Sequence, residues 1–277
     1  MEWSKIKNII ILMLVAVNFF LLILVVQRQR QSSLLNEQAI QNAMTVLEGN
    51  GIHASRSTIP SKAGFYTIQV SRDRELEEKI AASVLGNFSI TELGGGVVSY
   101  TGISGKALFR SNGDFSISLS AGSCTAGKEG ISSHAAKLLK TLQFCAGPNA
   151  VSMQKEGNTT TIKAKLEVRG AQVFNGSAVL TYEGSQLRSI AGKRFTGKPQ
   201  VGAERKNSLS TLTVLFLLLR HVNQEGDICN KITQISTGYQ IPSSLSDPVQ
   251  LSPVWKISTD TGLYYINADT GSVERAN

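Results

Sequence analysis

An apolar stretch near the amino terminus constrains this chain more than any other feature. Residues 9–26 form an unbroken run of eighteen residues that are all apolar except Asn18, and none of them is charged. At about 1.5 Å of rise per residue, a helix of this length is roughly 27 Å long, close to the thickness of a bilayer's hydrocarbon core. The sequence therefore predicts a transmembrane helix, and residues 1–30 are assigned as an amino-terminal anchor.

The residues after this stretch distinguish a retained anchor from a cleaved signal peptide. A signal peptide has an apolar core of about 7–15 residues followed by small residues at the cleavage site. Here the apolar run is longer, and it is followed by QRQRQ rather than by an Ala-x-Ala-like site. These features favour an uncleaved signal anchor. They leave its orientation open, because two basic residues flank the run on each side, Lys5 and Lys7 before it and Arg28 and Arg30 after it.

One face of the predicted membrane helix carries its single amide. An asparagine in the middle of a bilayer either is tolerated by a hydrophobic anchor or hydrogen-bonds to another helix, a contact worth about 0.6–2 kcal/mol. The residues that share this face at helical spacing are the candidate partner-contact residues: Leu14, Asn18, Leu21, Leu22 and Val25.

The sequence of the remainder of the chain predicts strands and turns with a few helices. Only 17% of the residues are charged and 25 are glycine, a composition typical of a turn-rich β protein. Alternating apolar residues predict strands, and longer apolar periods predict helices, one of them over residues 208–222. The predicted class is α+β: a single amino-terminal transmembrane helix followed by two mostly antiparallel-sheet modules with packed helices, over residues 31–125 and 126–277.

A second, amphipathic helix is predicted directly after the membrane. Ser32 or Ser33 is suited to cap its start, and Gly49 and Gly51 are suited to end it. Its apolar residues recur at three- and four-residue steps: Leu35, Ala39, Ile40, Ala43, Met44 and Leu47.

The sequence contains no recognisable catalytic constellation. His53, His134 and His221 lie outside any H-E-x-x-H motif and at no recognisable spacing from a cysteine. The chain also lacks a P-loop, a G-x-S-x-G elbow and a dinucleotide-binding fingerprint. We therefore expect a binding or regulatory protein rather than an enzyme, with no catalytic, cofactor-binding or metal-binding residues and no cofactor.

The three cysteines allow two interpretations. Cys124, Cys145 and Cys229 are an odd number without C-x-x-C spacing, which indicates neither a zinc site nor a disulfide framework. They are either small buried apolar residues or, in a domain outside the cytoplasm, include one bridge such as Cys124–Cys145.

Positive charge is concentrated in one loop of the second module. This loop is interpreted either as an ordinary solvated loop or as a contact for anionic wall polymer, lipid head groups or an acidic partner. No run of five like charges occurs, so nucleic acid is not an expected partner. The candidate anionic-polymer contacts are Lys193, Arg194, Lys198, Arg205 and Lys206.

Both ends of the chain resemble one family. The amino-terminal stretch MEWSKIKNIIILMLVAVNFFLL resembles the start of YycI-type two-component regulatory proteins of Gram-positive bacteria, with Trp3, Ser4 and Lys5 matching the start motif. The stretches GAQVFNGSAVLTYEGSQLRSIAGKRF and ISTGYQIPSSLSDPVQLSPVWKISTDTGLYYINADTGSV resemble the PepSY-like carboxy-terminal region of that family. The matching positions there, interpreted as structural, are Tyr239, Pro253, Trp255, Tyr265, Asn267 and Gly271.

The resemblance implies a function and an orientation. It implies a single-pass protein of the cytoplasmic membrane with its amino terminus in the cytoplasm and its domain outside. It also implies partnership with a YycH-type accessory protein and with a sensor histidine kinase of WalK (YycG) type that controls cell-wall homeostasis, through contacts between membrane helices. The alternative is an extracytoplasmic PepSY-like inhibitor or ligand-binding module that acts on a cell-wall hydrolase or a wall polymer.

Overall fold

The structure is a computed structural model that describes residues 2–61, 63–144, 150–243 and 247–276. Within these residues the chain forms four α-helices and one short 3₁₀ turn at Arg56–Thr58. The helices are α1 (Glu2–Gly49), α2 (Arg74–Leu85), α3 (Gly130–Thr141) and α4 (Thr211–Glu225).

Sixteen strands are formed in the same described residues. They are β1 (His53–Ala54), β2 (Tyr66–Val70), β3 (Phe88–Gly94), β4 (Val97–Gly102), β5 (Gly105–Phe109), β6 (Asp114–Leu119), β7 (Val151–Glu156), β8 (Thr159–Val168), β9 (Ala171–Glu183), β10 (Gln186–Lys193), β11 (Gln200–Glu204), β12 (Lys231–Gln240), β13 (Val249–Gln250), β14 (Ser252–Thr259), β15 (Leu263–Asn267) and β16 (Val273–Ala276).

Thirteen of these strands belong to one large sheet. Its main path is β16-β15-β14-β12-β9-β10-β6-β5-β4-β3, while β1 pairs with β12, and β8 and then β7 continue from β9. A small sheet is formed by β11, β2 and β13. All neighbouring pairs are antiparallel except β1 with β12 and β12 with β9. The structure thus confirms the predicted α+β class with one apolar amino-terminal helix and mostly antiparallel strands.

The large sheet is built from three similar series, each a helix followed by antiparallel strands. The first series is α2 with β3–β6, the second is α3 with β7–β10, and the third is α4 with β12 and β14–β16. Strand β6 pairs with β10, where Ile117 lies opposite Ile190, and Tyr239 lies opposite Val173 where β12 meets β9. Residues 31–125 and 126–277 therefore contribute to one sheet, and their division into two modules stays a prediction.

Tyr239 ties the small sheet to the large one. Its hydroxyl donates a hydrogen bond to the backbone oxygen of Tyr66 at 3.0 Å and accepts one from the backbone nitrogen of Tyr66 at 2.8 Å. The ring of Phe65 packs edge-on against Tyr239 and Trp255, with centroid distances of 6.2 and 5.9 Å. Both Tyr239 and Trp255 are buried, so these two positions from the family resemblance support the core.

Asn267 and Gly271 shape the tight turn after β15. The side-chain oxygen of Asn267 accepts hydrogen bonds from the backbone N–H groups of Asp269 and Thr270 at 2.9 and 3.0 Å. Gly271 has a φ of +74°, and a Cβ there would lie 3.1 Å from Cδ1 of Leu217. Turn geometry explains both residues, because an asparagine organises the backbone after it and a glycine tolerates positive φ.

The amino-terminal helix is continuous where the sequence suggested two helices. The expectation that a new helix starts at Ser32 or Ser33 is wrong, because α1 runs without interruption from residue 2 to residue 49. The physical reason lies in the connecting residues, QRQRQSSLLNEQA, which include no glycine or proline and several strong helix formers. Two serines alone do not stop a helix that both neighbouring segments favour.

Candidate functional site

The apolar segment of α1, Ile10–Arg28, is the first part of the candidate site. Within the described residues it is the one helical stretch long and apolar enough to cross a membrane, and none of it is buried by the rest of the chain. Its 19 residues are about 28 Å long, which matches a bilayer core. A segment with these properties near an amino terminus serves as a membrane anchor or as a signal sequence.

The predicted partner-contact face lies free along this segment. Leu14, Leu21, Leu22 and Val25 all have more than half of their surface exposed. The Asn18 amide donates a hydrogen bond to the backbone oxygen of Leu14 at 2.8 Å, within its own helix. This bond satisfies one of the two amide N–H groups of Asn18. The other N–H and the side-chain oxygen have no partner among the described residues, so the face is open to another helix.

The second part of the candidate site is the junction between α1 and the folded domain. Ile40, Ala43, Met44 and Leu47 are buried, where the last turns of α1 pack against α4 and β1. Leu35 is predicted to belong to this apolar face but is exposed, and it lies more than one turn before the buried Ile40. The predicted amphipathic helix is confirmed over its second half.

Side-chain hydrogen bonds also connect this part of α1 to the segment that follows β1. The Arg56 guanidinium donates two hydrogen bonds to the Glu37 carboxylate, at 2.5 and 2.6 Å, and a third to the backbone oxygen of Ile59. The Asn36 amide donates to the backbone oxygen of Ser61 at 2.7 Å. The hydrogen bonds from Arg56 lower the pKa of Glu37, so this pair is charged at neutral pH. These contacts fix the direction in which the helix leaves the domain.

These two parts are joined by continuous helix. Between Arg28 and Ile40 the helix runs twelve residues without a break, roughly 18 Å. A hydrogen-bonded helix is stiff along its axis, since each turn is held to the next by backbone hydrogen bonds. The continuous helix therefore connects the apolar segment directly to the part of α1 that packs on α4.

The five basic residues named as anionic-polymer contacts do not form one surface. Arg194 is buried, with 7% of its surface exposed, because it bonds inward to backbone oxygens. Arg205 is largely buried and pairs with Asp269, while Lys193 lies 3.8 Å from the carboxylate of Asp114. The two remaining members, Lys198 and Lys206, are exposed. Binding of an anionic polymer at these exposed lysines stays a prediction.

A cysteine–histidine–tyrosine chain was missed in the sequence. The Cys124 sulfur lies 3.7 Å from Nε2 of His134, and Nδ1 of His134 lies 2.9 Å from the hydroxyl of Tyr182. Burial lowers the pKa of His134 and raises the pKa of Cys124, so both groups are neutral at pH 7. A neutral thiol is a weak nucleophile, and this arrangement is a structural hydrogen-bond chain. No sequence signal marks it, because Tyr182 is far from the other two in the chain.

The cysteines of the described residues form no disulfide, and no metal cluster is found there. Cys124 and Cys229 are free thiols, while the predicted alternative of a Cys124–Cys145 bridge involves Cys145, which lies outside the described residues. Among the residues that the structure describes, no three His, Cys, Asp or Glu side chains are grouped to hold a metal ion. The expectation of a protein without cofactor or metal stays a prediction.

Comparisons with known proteins find similarity in shape only. No protein-family profile and no curated protein matches the chain. An uncharacterised protein from Eubacterium rectale ATCC 33656 is 11% identical with a TM-score of 0.47, covering 82% of this chain and 92% of that one. The C-terminal domain of Bacillus megaterium YpeB is 15% identical with a TM-score of 0.35, covering 75% of this chain and 99% of that one. Neither comparison concerns the YycI-type family, whose resemblance stays a prediction.

Proposed function

We propose that the chain is a retained single-pass membrane protein that regulates a sensor histidine kinase of WalK type without catalysing a reaction. Its amino terminus lies in the cytoplasm, and its α+β domain lies outside the cytoplasmic membrane beside a YycH-type companion. One observation carries the proposal: an uninterrupted helix connects an apolar segment with a free lateral face to the buried core of the domain.

The lateral face provides the contact with the kinase. In a bilayer, hydrophobic burial does not drive helices together, so packing and interhelical hydrogen bonds decide which helices associate. The unpartnered side-chain oxygen of Asn18 is a hydrogen-bond acceptor in such a contact, and Leu14, Leu21, Leu22 and Val25 supply the packing around it. The resemblance at Trp3, Ser4 and Lys5 is what supports a kinase of this class as the partner.

The junction provides the coupling between the domain and the membrane. Because Ile40, Met44 and Leu47 are buried in the domain, a change in the domain that repacks α4 also moves α1. A single-pass protein without this fixed junction would let its domain rotate freely and would carry no signal inward. In this proposal, the domain and α1 therefore move as one rigid unit, and α1 carries the movement to the kinase's membrane helices.

The test is reconstitution of the full chain with the kinase and its companion in proteoliposomes, with kinase autophosphorylation as the readout. Replacing Asn18→Leu is expected to weaken the helix contact by roughly 3- to 30-fold, the equivalent of one interhelical hydrogen bond. Asn18→Gln keeps the amide and is expected to keep most of the regulation. Adding Phe20→Asn to Asn18→Leu moves the amide to the opposite face and is expected to restore nothing.

A swap of the whole apolar segment gives the decisive outcome. If an unrelated transmembrane helix of equal length replaces Ile10–Arg28 and kinase regulation is unchanged, the proposal is wrong. That result would mean that the folded domain regulates the kinase without a specific helix contact. The second candidate function is an extracytoplasmic PepSY-like inhibitor or ligand-binding module acting on a cell-wall hydrolase or wall polymer. The exposed Lys198 and Lys206 favour this candidate. It predicts that replacing both lysines by glutamate abolishes salt-sensitive retention on anionic wall material.

A further inference from the structure

A small pocket lies between the large and small sheets, next to a buried arginine. Its volume is about 100 Å³, and it is open to solvent on one side. We call it the Arg194 pocket. Its walls are mainly apolar, and they include Val70, Gln143, Leu166, Val168, Arg194 and Leu251.

The guanidinium of Arg194 is held in place by neutral oxygen atoms. Its Nε donates to the backbone oxygen of Phe195 at 2.9 Å, and Nη2 donates to the side-chain oxygen of Gln143 at 3.1 Å. Its Nη1 donates to the backbone oxygen of Leu142. A guanidinium has five N–H groups, so one N–H on each terminal nitrogen has no acceptor among the residues that the structure describes. The side chain is therefore fixed in position and still has donors to offer.

The charge on Arg194 has no counter-ion in the described part of the chain. None of the ion pairs among these residues includes Arg194. The Phe144 ring, 5.5 Å from the guanidinium carbon, is the aromatic group stacked on it. Burial lowers the pKa of Arg194 to about 10, so the group stays protonated at neutral pH. A buried cation without an opposite charge is costly, and an anion entering the pocket would relieve that cost.

We propose that the Arg194 pocket binds a carboxylate group carried on a short apolar chain. The two free N–H groups of the guanidinium suit the two oxygens of a carboxylate. Val70, Leu166, Val168 and Leu251 offer an apolar surface to the chain that carries it. A pocket of this size holds about six non-hydrogen atoms. This ligand site is independent of the helix contact proposed above, and its failure would leave that proposal standing.

Glu167 allows a test of whether the pocket recognises the negative charge of its ligand. It lines the same pocket and is half-buried, yet it forms no ion pair with Arg194. A ligand carboxylate held by Arg194 gains nothing from a second carboxylate nearby. Replacing Glu167→Gln is therefore expected to leave butyrate binding unchanged or to strengthen it, and weaker binding would mean that the ligand is recognised as something other than an anion.

The experiment is calorimetric titration of the full chain in detergent micelles with sodium butyrate, which has six non-hydrogen atoms. Binding with a dissociation constant on the order of 1 mM is expected, a normal affinity for so small a ligand. Butyramide has the same shape without the charge and is expected to bind at least about tenfold more weakly. Acetyl-alanyl-alanine tests the carboxyl end of a peptide as the source of the group. If only butyrate or only the peptide binds, the ligand that binds identifies the kind of molecule that carries the carboxylate. If both bind, the carboxylate that they share is the recognised group.

Two variants locate the binding in this pocket. Arg194→Lys keeps a positive charge but removes the planar pair of N–H donors that can bind both oxygens of a carboxylate. The affinity for butyrate is therefore expected to fall about tenfold. Val168→Ile keeps Arg194 and its backbone contacts and adds one methylene group to the wall, so butyrate is expected to bind more weakly than acetate. The proposal would be overturned if neither butyrate nor the peptide binds. It would also be overturned if butyramide binds as tightly as butyrate, or if both variants bind butyrate as tightly as the unchanged chain does.

Discussion

The carboxylate of Glu77 accepts two hydrogen bonds from the guanidinium of Arg72, at 2.7 Å from Nε and 2.9 Å from Nη2. Both side chains are nearly enclosed, with 3% of the Glu77 side chain and 11% of the Arg72 side chain exposed. Arg72 also donates to the backbone oxygens of Gly96 and Phe109, at 2.5 and 3.3 Å. The pair thus fixes the start of α2 against the edge of the large sheet.

Replacing Glu77→Gln is expected to lower the free energy of unfolding by about 3 kcal/mol, because Arg72 then keeps its charge in an enclosed site without a counter-charge. A urea titration of the full chain in detergent measures this difference. Glu78→Gln on the same helix is the matched control, since Glu78 is exposed, and it is expected to change stability little. Equal effects of the two substitutions would show that the pair contributes nothing specific.

His134 is expected to make the domain less stable in acid, and the sign follows from the surroundings of its imidazole. Burial is the largest cause that lowers the pKa of His134, Lys137 acts in the same direction, and Glu129 opposes them. The unfolded chain, with a histidine pKa of about 6.5, therefore binds the proton more readily than the folded state does. By linkage, the free energy of unfolding decreases as the pH falls below about 6.5, and this contribution is absent above it.

The variant His134→Gln removes this group, and its melting temperature is expected to fall less than that of the unchanged chain between about pH 7.5 and about pH 5. His53→Gln is the control, because His53 is exposed. Differential scanning calorimetry at both pH values gives the comparison. A steeper acid loss in His134→Gln than in the unchanged chain would mean that folding raises the pKa of this histidine, contrary to the sign derived from its burial.

Local patterns in the sequence predicted local structure well. The stretch SNGD at residues 111–114 predicts a hairpin turn, and the turn is present, with Gly113 at a φ of +85° and the Asn112 side-chain oxygen accepting from the backbone N–H of Asp114 at 3.1 Å. The helix predicted over residues 208–222 begins at Thr211 behind a Ser210 cap and ends at Glu225. In these cases a few neighbouring residues carry the whole physical signal: a turn former, a cap or an apolar period.

Features that depend on distant parts of the chain could not be predicted in this way. The burial of Arg194 depends on Leu142 and Gln143, about fifty residues earlier, which supply its acceptors. The contact of His134 with Tyr182 depends on α3 packing over β9. The continuity of α1 differs from the prediction for another reason: a change from an apolar to an amphipathic pattern marks a change of environment and not an end of the helix.

The junction between α1 and the domain is expected to contribute strongly to stability. Leu47 has 2% of its surface exposed, and Leu47→Ala is expected to lower the free energy of unfolding by about 3 kcal/mol through lost burial and the cavity left behind. Val46→Ala, one residue earlier and facing solvent, is the matched control and is expected to have a small effect. The same urea titration reports both. Similar losses would mean that α1 is not docked at Leu47.

The connection between membrane and domain can be broken without touching either end. Gln31 is exposed and lies between the apolar segment and the docked turns of α1. Gln31→Pro removes a backbone donor and its ring clashes with the preceding turn, so the helix kinks there at a local cost of about 3 kcal/mol. Because the docked residues from Ile40 onward are untouched, unfolding of the domain in urea is expected to stay unchanged.

Kinase regulation in the Gln31→Pro variant then distinguishes two mechanisms. In one, a rigid α1 transmits movement of the domain, and in the other, α1 only holds the domain near the membrane. If the domain acts on the kinase through the direction of α1, autophosphorylation in proteoliposomes becomes insensitive to the chain, although the chain still inserts. Gln31→Ala preserves the helix and is expected to regulate normally, since alanine is the strongest helix former. Normal regulation by the proline variant would mean that the helix only holds the domain near the membrane, and that the domain reaches its partner by its own surface.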